Sequence, residues 1–265
     1  MAGKKDVFDI VSEKFDRRWK RDELIVDAER FKTYDEVFDH QNLEIIYRLM
    51  TRGHIKVLEC PISTGKEANV YKAKTEDGFA AVKIFRTSTS TFRSFTDYID
   101  GDRRFNRIDR SHRGIIYTWA RKEFLNLDVM RNHRIRVPSP RIVMKNILVM
   151  DYISYEGAPA PQLRILKATD DEWASMWKWV LKTVKALFEK CELVHADLSE
   201  YNILYDGKPI LIDAGQAVHI THPSARQFLE RDMRIISHFF EKKGIENASE
   251  KASDLVSKLM PEKKD

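Results

Sequence analysis

At 265 residues, with 43% hydrophobic and 33% charged side chains, the chain is long enough for one large domain or two small lobes with a full core. Its net charge of +5 gathers in runs, RRWKR at 17–21, RR at 103–104 and RNHRIR at 131–136, which read either as solvated faces or as attraction to a polyanion such as RNA. Two distant cysteines, Cys60 and Cys191, argue against a disulfide scaffold or a zinc site, and no apolar run has signal-peptide length or the about 20 residues that span a bilayer, so a soluble, cytoplasmic protein without a membrane partner is expected.

Residues 1–57 read as a charge-rich N-terminal helical extension, in which Val37, Phe38, Ile45, Ile46, Leu49 and Met50 recur at helical spacing before a stop at Gly53. From 58 the period changes. VYKAKTEDGFAAVKIF is two β-rich runs joined by the turn signal EDG. Residues 86–112, rich in Ser, Thr and Arg and without clear periodicity, read as a long loop that is either functional or mobile. Ile115, Ile116, Trp119, Glu123, Phe124 and Leu127 then mark one helical face, and RIVMKNILVMDYI at 141–153 reads as a second hairpin. This β-rich region, 58–153, gives way to a helical one, 154–265. There Thr169 and Glu172 form a capping box ahead of the apolar stripe Trp173, Met176, Trp177, Val180, Val184, Leu187 and Phe188. Short strands ILY and PILID and two closing helices, ARQFLERDMRIISHFFEKKG and ASEKASDLVSKLM, complete an α+β layout with no internal repeat.

The stretch VHADLSEYNIL (194–204) sets His195, Asp197 and Asn202 in an apolar run. A carboxylate and a carboxamide five residues apart, on a loop anchored by Leu198 and Ile203, suit in-line phosphoryl transfer. Asp197 would accept or orient the attacking hydroxyl, and Asn202 would supply a hard oxygen ligand to a metal. A second carboxylate, Asp213, lies eleven residues after Asn202 at the end of PILID, with Gly215 expected to relieve the turn, while His195 is expected to brace the loop. Upstream, STGKEANVY places Ser63, Gly65, Ala68 and Val70 on the kinase phosphate-loop pattern G-x-G-x-x-G-x-V, with Thr64, Lys66 and Glu67 between them; a plain hairpin turn is the competing reading. It is not a Walker A loop. Eighteen residues after Gly65, Lys83 stands in mid-strand, either an edge lysine reaching solvent or a cation aimed at phosphates, and Glu123 is its candidate partner because an acid within an apolar helix face needs a cation.

Together, STGKEANVY, AVKIF, HADLSEYNIL and LIDAGQAV resemble the signature of the RIO family of atypical kinases, and within it the Rio-one branch, over residues of about 34 to 240. The resemblance implies a bilobal protein-kinase-like fold with ATP and Mg2+, or Mn2+ in its place, in the cleft. Lys83 would hold phosphates, Glu123 would pair with it, Asp197 would be the catalytic base, and Asn202 and Asp213 would bind metal. Met150 would border the adenine pocket, the backbone of Asp151 and Ile153 would bond the base, and Asp213 is a candidate aspartyl-phosphate. The resemblance further implies autophosphorylation, with Ser and Thr of 86–111 as candidate acceptors, ATPase activity, and a role in maturing the small ribosomal subunit with its RNA and proteins as partners.

Departures from ordinary kinases are plain. Ala196 replaces the arginine that usually precedes the catalytic Asp, Ser199 replaces a lysine, Ala214 stands where a switch phenylalanine would be, and no Ala-Pro-Glu motif follows. An activation segment and peptide-docking helices are therefore expected to be absent, and the lack of long tails gives the chain an archaeal look. Two other functions compete: a small-molecule phosphotransferase of the aminoglycoside or choline kinase type, and a pseudokinase scaffold that binds RNA.

Overall fold

The computed structural model describes residues 39–87 and 92–261. Val37, Phe38, the basic run 17–21 and most of the expected N-terminal extension lie outside them. The first described element is helix α1 (His40–Thr51), opened by the Asp39 carboxylate accepting from the Asn42 N–H at 2.7 Å. Gly53 follows its end with φ of 77°, a conformation that favours glycine and realises the expected stop.

Five strands come next as one antiparallel sheet: β1 (Val57–Thr64), β2 (Ala68–Lys74), β3 (Phe79–Phe85), β4 (Pro140–Met144) and β5 (Ile147–Asp151), in the order β1-β2-β3-β5-β4. Both expected hairpins are present. Strand alternation divides the sheet into two faces. Ala80, Val82 and Ile84 of β3, with Ile147 and Val149 of β5, pack under Ile45, Ile46 and Leu49 of α1. Phe85 and Leu148 point the other way, into the main core. Buried Asn146, in the turn between β4 and β5, ties α1 to this sheet by donating to Asn42 Oδ1 and to the Phe85 carbonyl, both at 2.8 Å.

The stretch 86–112 is not the unstructured loop that its composition suggested. Its described part contains helix α2 (Phe92–Ile99) and a 3-10 turn (Arg103–Phe105), and helix α3 (His112–Asn132) begins at its end, capped by Ser111. A helix of two turns gives too short a window for periodicity, and its stability comes from packing. Phe95 stacks on Trp119 with centroids 4.2 Å apart, and Tyr98 stacks on Phe228 at 5.1 Å. Ser88 to Thr91, among the candidate acceptors, lie outside the described residues.

Two short strands, β6 (Ser154–Tyr155) and β7 (Ala158–Pro159), lead to α4 (Asp170–Cys191), whose capping box is formed as expected: the Thr169 N–H donates to Glu172 Oε2 at 2.7 Å. The expected apolar stripe of α4 is buried except for Phe188, which is only partly covered. After α4, β8 (Leu193–Val194) pairs with β11 (Val218–His219), and between them β9 (Ile203–Tyr205) and β10 (Pro209–Leu211) form a hairpin. Helices α5 (Ala225–Lys242) and α6 (Ala248–Leu259) pack on α4 through Leu229, Met233, Phe240 and Val256. The loops that carry Asp197 and Asp213 thus emerge from a miniature β scaffold, underneath the sheet that carries Lys83.

Asn146→Ala should lower unfolding stability by about 1–3 kcal/mol, because two buried acceptors lose this donor. Urea denaturation would show a shifted midpoint at unchanged slope.

Candidate active site

Lys83 lies at the middle of the central strand β3, which rules out the edge-strand reading. Alternation turns it away from α1, on the side of Phe85, toward α3. Its ammonium donates to Glu123 Oε1 and Oε2 at 2.9 and 2.8 Å and to Asp213 Oδ1 at 2.9 Å. Glu123 is fully buried on the α3 stripe, while the Asp213 side chain is 45% exposed and faces the opening. Burial works against the charge on Lys83, yet the two carboxylates override it and hold the ammonium well above the ordinary lysine range. Glu123 goes the other way: burial raises its pKa, and Lys83 only partly offsets that. For Asp213, burial also pulls upward, but the Lys83 charge and hydrogen bond win and keep the carboxyl below its usual range. One cation is shared between the two carboxylates, bidentate toward Glu123 and through one oxygen toward Asp213.

Asp197 and Asn202 share the loop between β8 and β9, pinned by buried Leu198 and Ile203. Asn202 Nδ2 donates to the Asp197 carbonyl at 2.8 Å and to its Oδ2 at 2.9 Å. The amide is thereby oriented, with its oxygen at the opposite end. The Ile212 N–H donates to the Asn202 carbonyl at 2.9 Å, stitching this loop to the residue before Asp213. Burial pushes the Asp197 carboxyl up to about 6, with the Asp213 charge adding to the effect and Asn202, Arg231 and Lys83 opposing it. Glu67, from the turn between β1 and β2, faces the same acids. Its pKa is raised by burial, then by Asp213 and Asp197, while Lys83 opposes.

These carboxylates repel one another around the Lys83 ammonium, and a divalent cation would relieve that repulsion. Among the described residues no cluster of three or more His, Cys, Asp or Glu forms a ready protein cage. One carboxylate and one amide oxygen are nevertheless what Mg2+ takes when it keeps waters and phosphate oxygens. The donor set therefore fits Mg2+ with a nucleotide.

Ser63, Thr64, Gly65 and Lys66 are exposed at the turn between β1 and β2, with Ala68 and Val70 half-buried on β2. The Gly65 N–H is engaged inside this turn, donating to the Ala68 carbonyl at 3.0 Å and to Asn69 Oδ1 at 3.3 Å. Across the sheet, Met150 packs against the main core at the end of β5. The Asp151 side chain turns away and pairs with Arg141 at 2.9 Å, and the Ile153 carbonyl accepts from the Ala160 N–H at 3.1 Å. His195 does not face the opening: it is buried, its Nε2 lies 3.2 Å from the Ile212 carbonyl, and burial drops its pKa to about 4. A neutral ring that donates to Ile212 is a brace, as expected.

Two backbone positions at the site have left-handed dihedrals without being glycine, Ala196 (φ 64°) and Asp213 (φ 59°). Gly215 does not relieve the turn, as the sequence had suggested. Asp213 takes the positive φ itself, and Gly215 is needed for room, since a Cβ there would meet Trp119 Nε1 at 3.1 Å. Ala196 is gripped by residues that motif reading missed. Asp232 Oδ2 accepts from the Ala196 N–H at 2.7 Å, and Arg231 Nη2 donates to the Ala196 carbonyl. A signal existed: Asp232 falls on the apolar stripe of α5 with Leu229, Met233 and Ile236, where an acid needs a reason.

A family model described as the RIO domain matches residues 69–253. The chain belongs to the RIO kinase family. It is similar to the RIO-type serine/threonine-protein kinase Rio1 of Haloferax volcanii, 38% identical over 95% of this chain and 88% of that one. It is likewise similar to Rio1 of Methanocaldococcus jannaschii, 38% identical over 87% and 80% of the two chains. Among solved structures, the ADP/Mg2+-phosphoaspartate complex of Rio2 kinase from Chaetomium thermophilum superposes with a TM-score of 0.61 at 24% identity, covering 84% of this chain and 68% of that one. The fold is accordingly bilobal and protein-kinase-like, and the protein is an atypical serine/threonine kinase of the Rio1 type. In this RIO kinase, residues 214–224 hold only a turn and β11 between Asp213 and α5, which leaves no place for an activation segment.

Lys83→Met should destabilise the RIO kinase by about 3 kcal/mol or more, since Glu123 is left buried without its cation, and the double variant with Glu123→Gln should regain part of the loss in thermal melts. Asp232→Ala should cost about 1–3 kcal/mol by orphaning the Ala196 N–H. It should also lower turnover while nucleotide affinity, read by calorimetry, stays within about twofold, because Asp232 acts on the Ala196 backbone and not on Lys83, Asn202 or Asp213.

Proposed function

We propose that this RIO kinase binds ATP with Mg2+ between the sheet and the helical half and transfers its γ-phosphoryl group, and that it acts as an autophosphorylating ATPase in maturation of the small ribosomal subunit. The observation that carries the catalytic part is the Lys83 ammonium held between Glu123 and Asp213, with Asp197 and Asn202 beside it.

In this reading Lys83 meets the phosphates, and Glu123 keeps it aimed. The turn Ser63–Ala68 covers the phosphates, and Val70, on the same face of the sheet as Lys83, covers the base from that side. Met150 borders the adenine, whose edge is held by the Asp151 carbonyl and the Ile153 N–H. Asn202 Oδ1 and the Asp213 carboxylate hold the metal, which when bound neutralises charge on the phosphates. Asp197, half-buried and raised toward neutral pH, takes the proton of the attacking hydroxyl or water. The Chaetomium Rio2 complex contains a phosphoaspartate. In this chain Asp213 is its counterpart: a carboxylate oxygen bonds to the γ-phosphorus, the bond to ADP breaks, and water later returns the carboxylate and frees phosphate. The missing activation segment supports self-modification and ATP turnover over a long peptide groove. The net charge of +5 supports an RNA-rich partner.

Asp213→Ala should abolish Mg2+-dependent nucleotide binding, whereas Asp197→Ala should keep binding and lose about 10²-fold or more in ADP release. Equal loss of binding in both variants would contradict the division of roles. Mass spectrometry after incubation with ATP should find phosphate on Asp213; modification confined to Ser or Thr would favour a conventional kinase.

A further inference from the structure

Helix α3 carries a second set of buried polar groups that the catalytic roles do not use. Lys122 is fully buried, adjacent to Glu123, and its ammonium ends on main-chain carbonyls, donating to Gly215 O at 2.8 Å and to Ala217 O at 2.5 Å. One turn further on, fully buried Asn126 donates from Nδ2 to Ala214 O at 2.7 Å and Ala217 O at 2.9 Å. Three carbonyls of the four residues after Asp213 are therefore held by two side chains of one helix. The orientation of Asn126 is itself fixed. Its Oδ1 accepts from Arg104 Nη1 at 2.8 Å, and Arg104 is locked by buried Asp102, with Nη2 to Oδ2 at 2.7 Å and Nε to Oδ1 at 2.9 Å. Asp102 and Arg104 belong to the stretch between β3 and α3.

Burying an ammonium on carbonyls is costly, and an apolar residue would fill the same space at less expense. Such a network specifies a position more than it adds stability. The position it specifies is that of Asp213, whose left-handed backbone is strained and whose next four residues it grips. We propose that Lys122 and Asn126 are positioning residues that hold the loop 214–217 so that Asp213 presents its carboxylate to the metal and to Lys83, the task that an ordered activation segment performs in ordinary kinases. Helix α3 then governs Asp213 twice: at the carboxylate, through Glu123 and Lys83, and at the backbone, through Lys122 and Asn126. The inference rests on the reading of Asp213 as a metal ligand.

Two measurements on Lys122→Met, Asn126→Leu and Arg104→Lys test it, the last because a lysine keeps a cation beside buried Asp102 while losing the guanidinium N–H that orients Asn126. In the metal-free protein, hydrogen exchange of the amides of 213–218 should accelerate in each variant, while the α4 amides stay protected. ADP affinity measured in chelator should stay within about twofold of the parent, and the gain on adding Mg2+ should shrink by about 10- to 100-fold, the usual effect of losing an outer-shell support. Because Lys122 and Asn126 grip one loop, the double variant should lose less than the product of the single effects. Unchanged exchange and an unchanged Mg2+ gain in the folded variants overturn the inference, and so does an equal loss of ADP affinity with and without Mg2+, which marks a packing role alone. Asp213→Ala is the control: if it keeps the full Mg2+ gain, the metal-ligand reading itself fails, whatever the other variants do.

Discussion

Lys83 carries its charge where an unpaired lysine would be untenable, and satisfying that charge fixes how three distant parts of the chain meet. The cation comes from the central strand of the sheet, one carboxylate from α3, and the other from the loop after β10. Glu123 is sealed in and Asp213 is open, so the two acids are not equivalent. The buried partner anchors the ammonium. The exposed partner is kept ionised by it at the mouth of the cleft, where a cation and phosphates can reach. Shift the sheet relative to α3, and the ammonium and both acids lose their compensation together.

The loops around this contact carry strain, and the helical half absorbs it. Ala196 and Asp213 both take left-handed backbone conformations. The first is clamped from α5 by Arg231 and Asp232, on its carbonyl and its N–H respectively. The second is flanked by carbonyls that α3 holds, and by a glycine that lets the Trp119 ring approach. Ordinary kinases place an arginine where Ala196 stands and a phenylalanine where Ala214 stands. Here Arg231 reaches the Ala196 carbonyl from α5, and Trp119 packs against Gly215, the residue after Ala214.

The stretch between β3 and α3 belongs to the same design. Phe95 and Tyr98 bridge Trp119 and Phe228, and Arg104, held by Asp102, reaches Asn126. What composition presents as a Ser/Thr/Arg-rich loop is, in its described part, a strap between the two lobes. Its order comes from aromatic and amide partners more than twenty residues away, Trp119, Phe228 and Asn126, which local periodicity does not register.

The sequence by itself determined the elements with strong periods, the two hairpins and the α4 capping box and stripe, and by spacing it nominated Lys83, Glu123, Asp197, Asn202 and Asp213, which the fold brings to one opening. Each of these is written locally, because strand alternation, helix period and loop motifs need only neighbouring residues to be read. Tertiary structure alone decided which residues support them. Lys122, Asn126 and Asp232 reveal themselves only as polar groups on apolar faces, and Arg231 does not do even that. Apart from Arg104 on Asn126, the partners are backbone carbonyls and N–H groups, which leave no mark in the amino-acid code. For the same reason the sequence assigned the strained turn to Gly215, whereas the fold places it on Asp213, where packing against Trp119 and the grip of α3 overrule local preference.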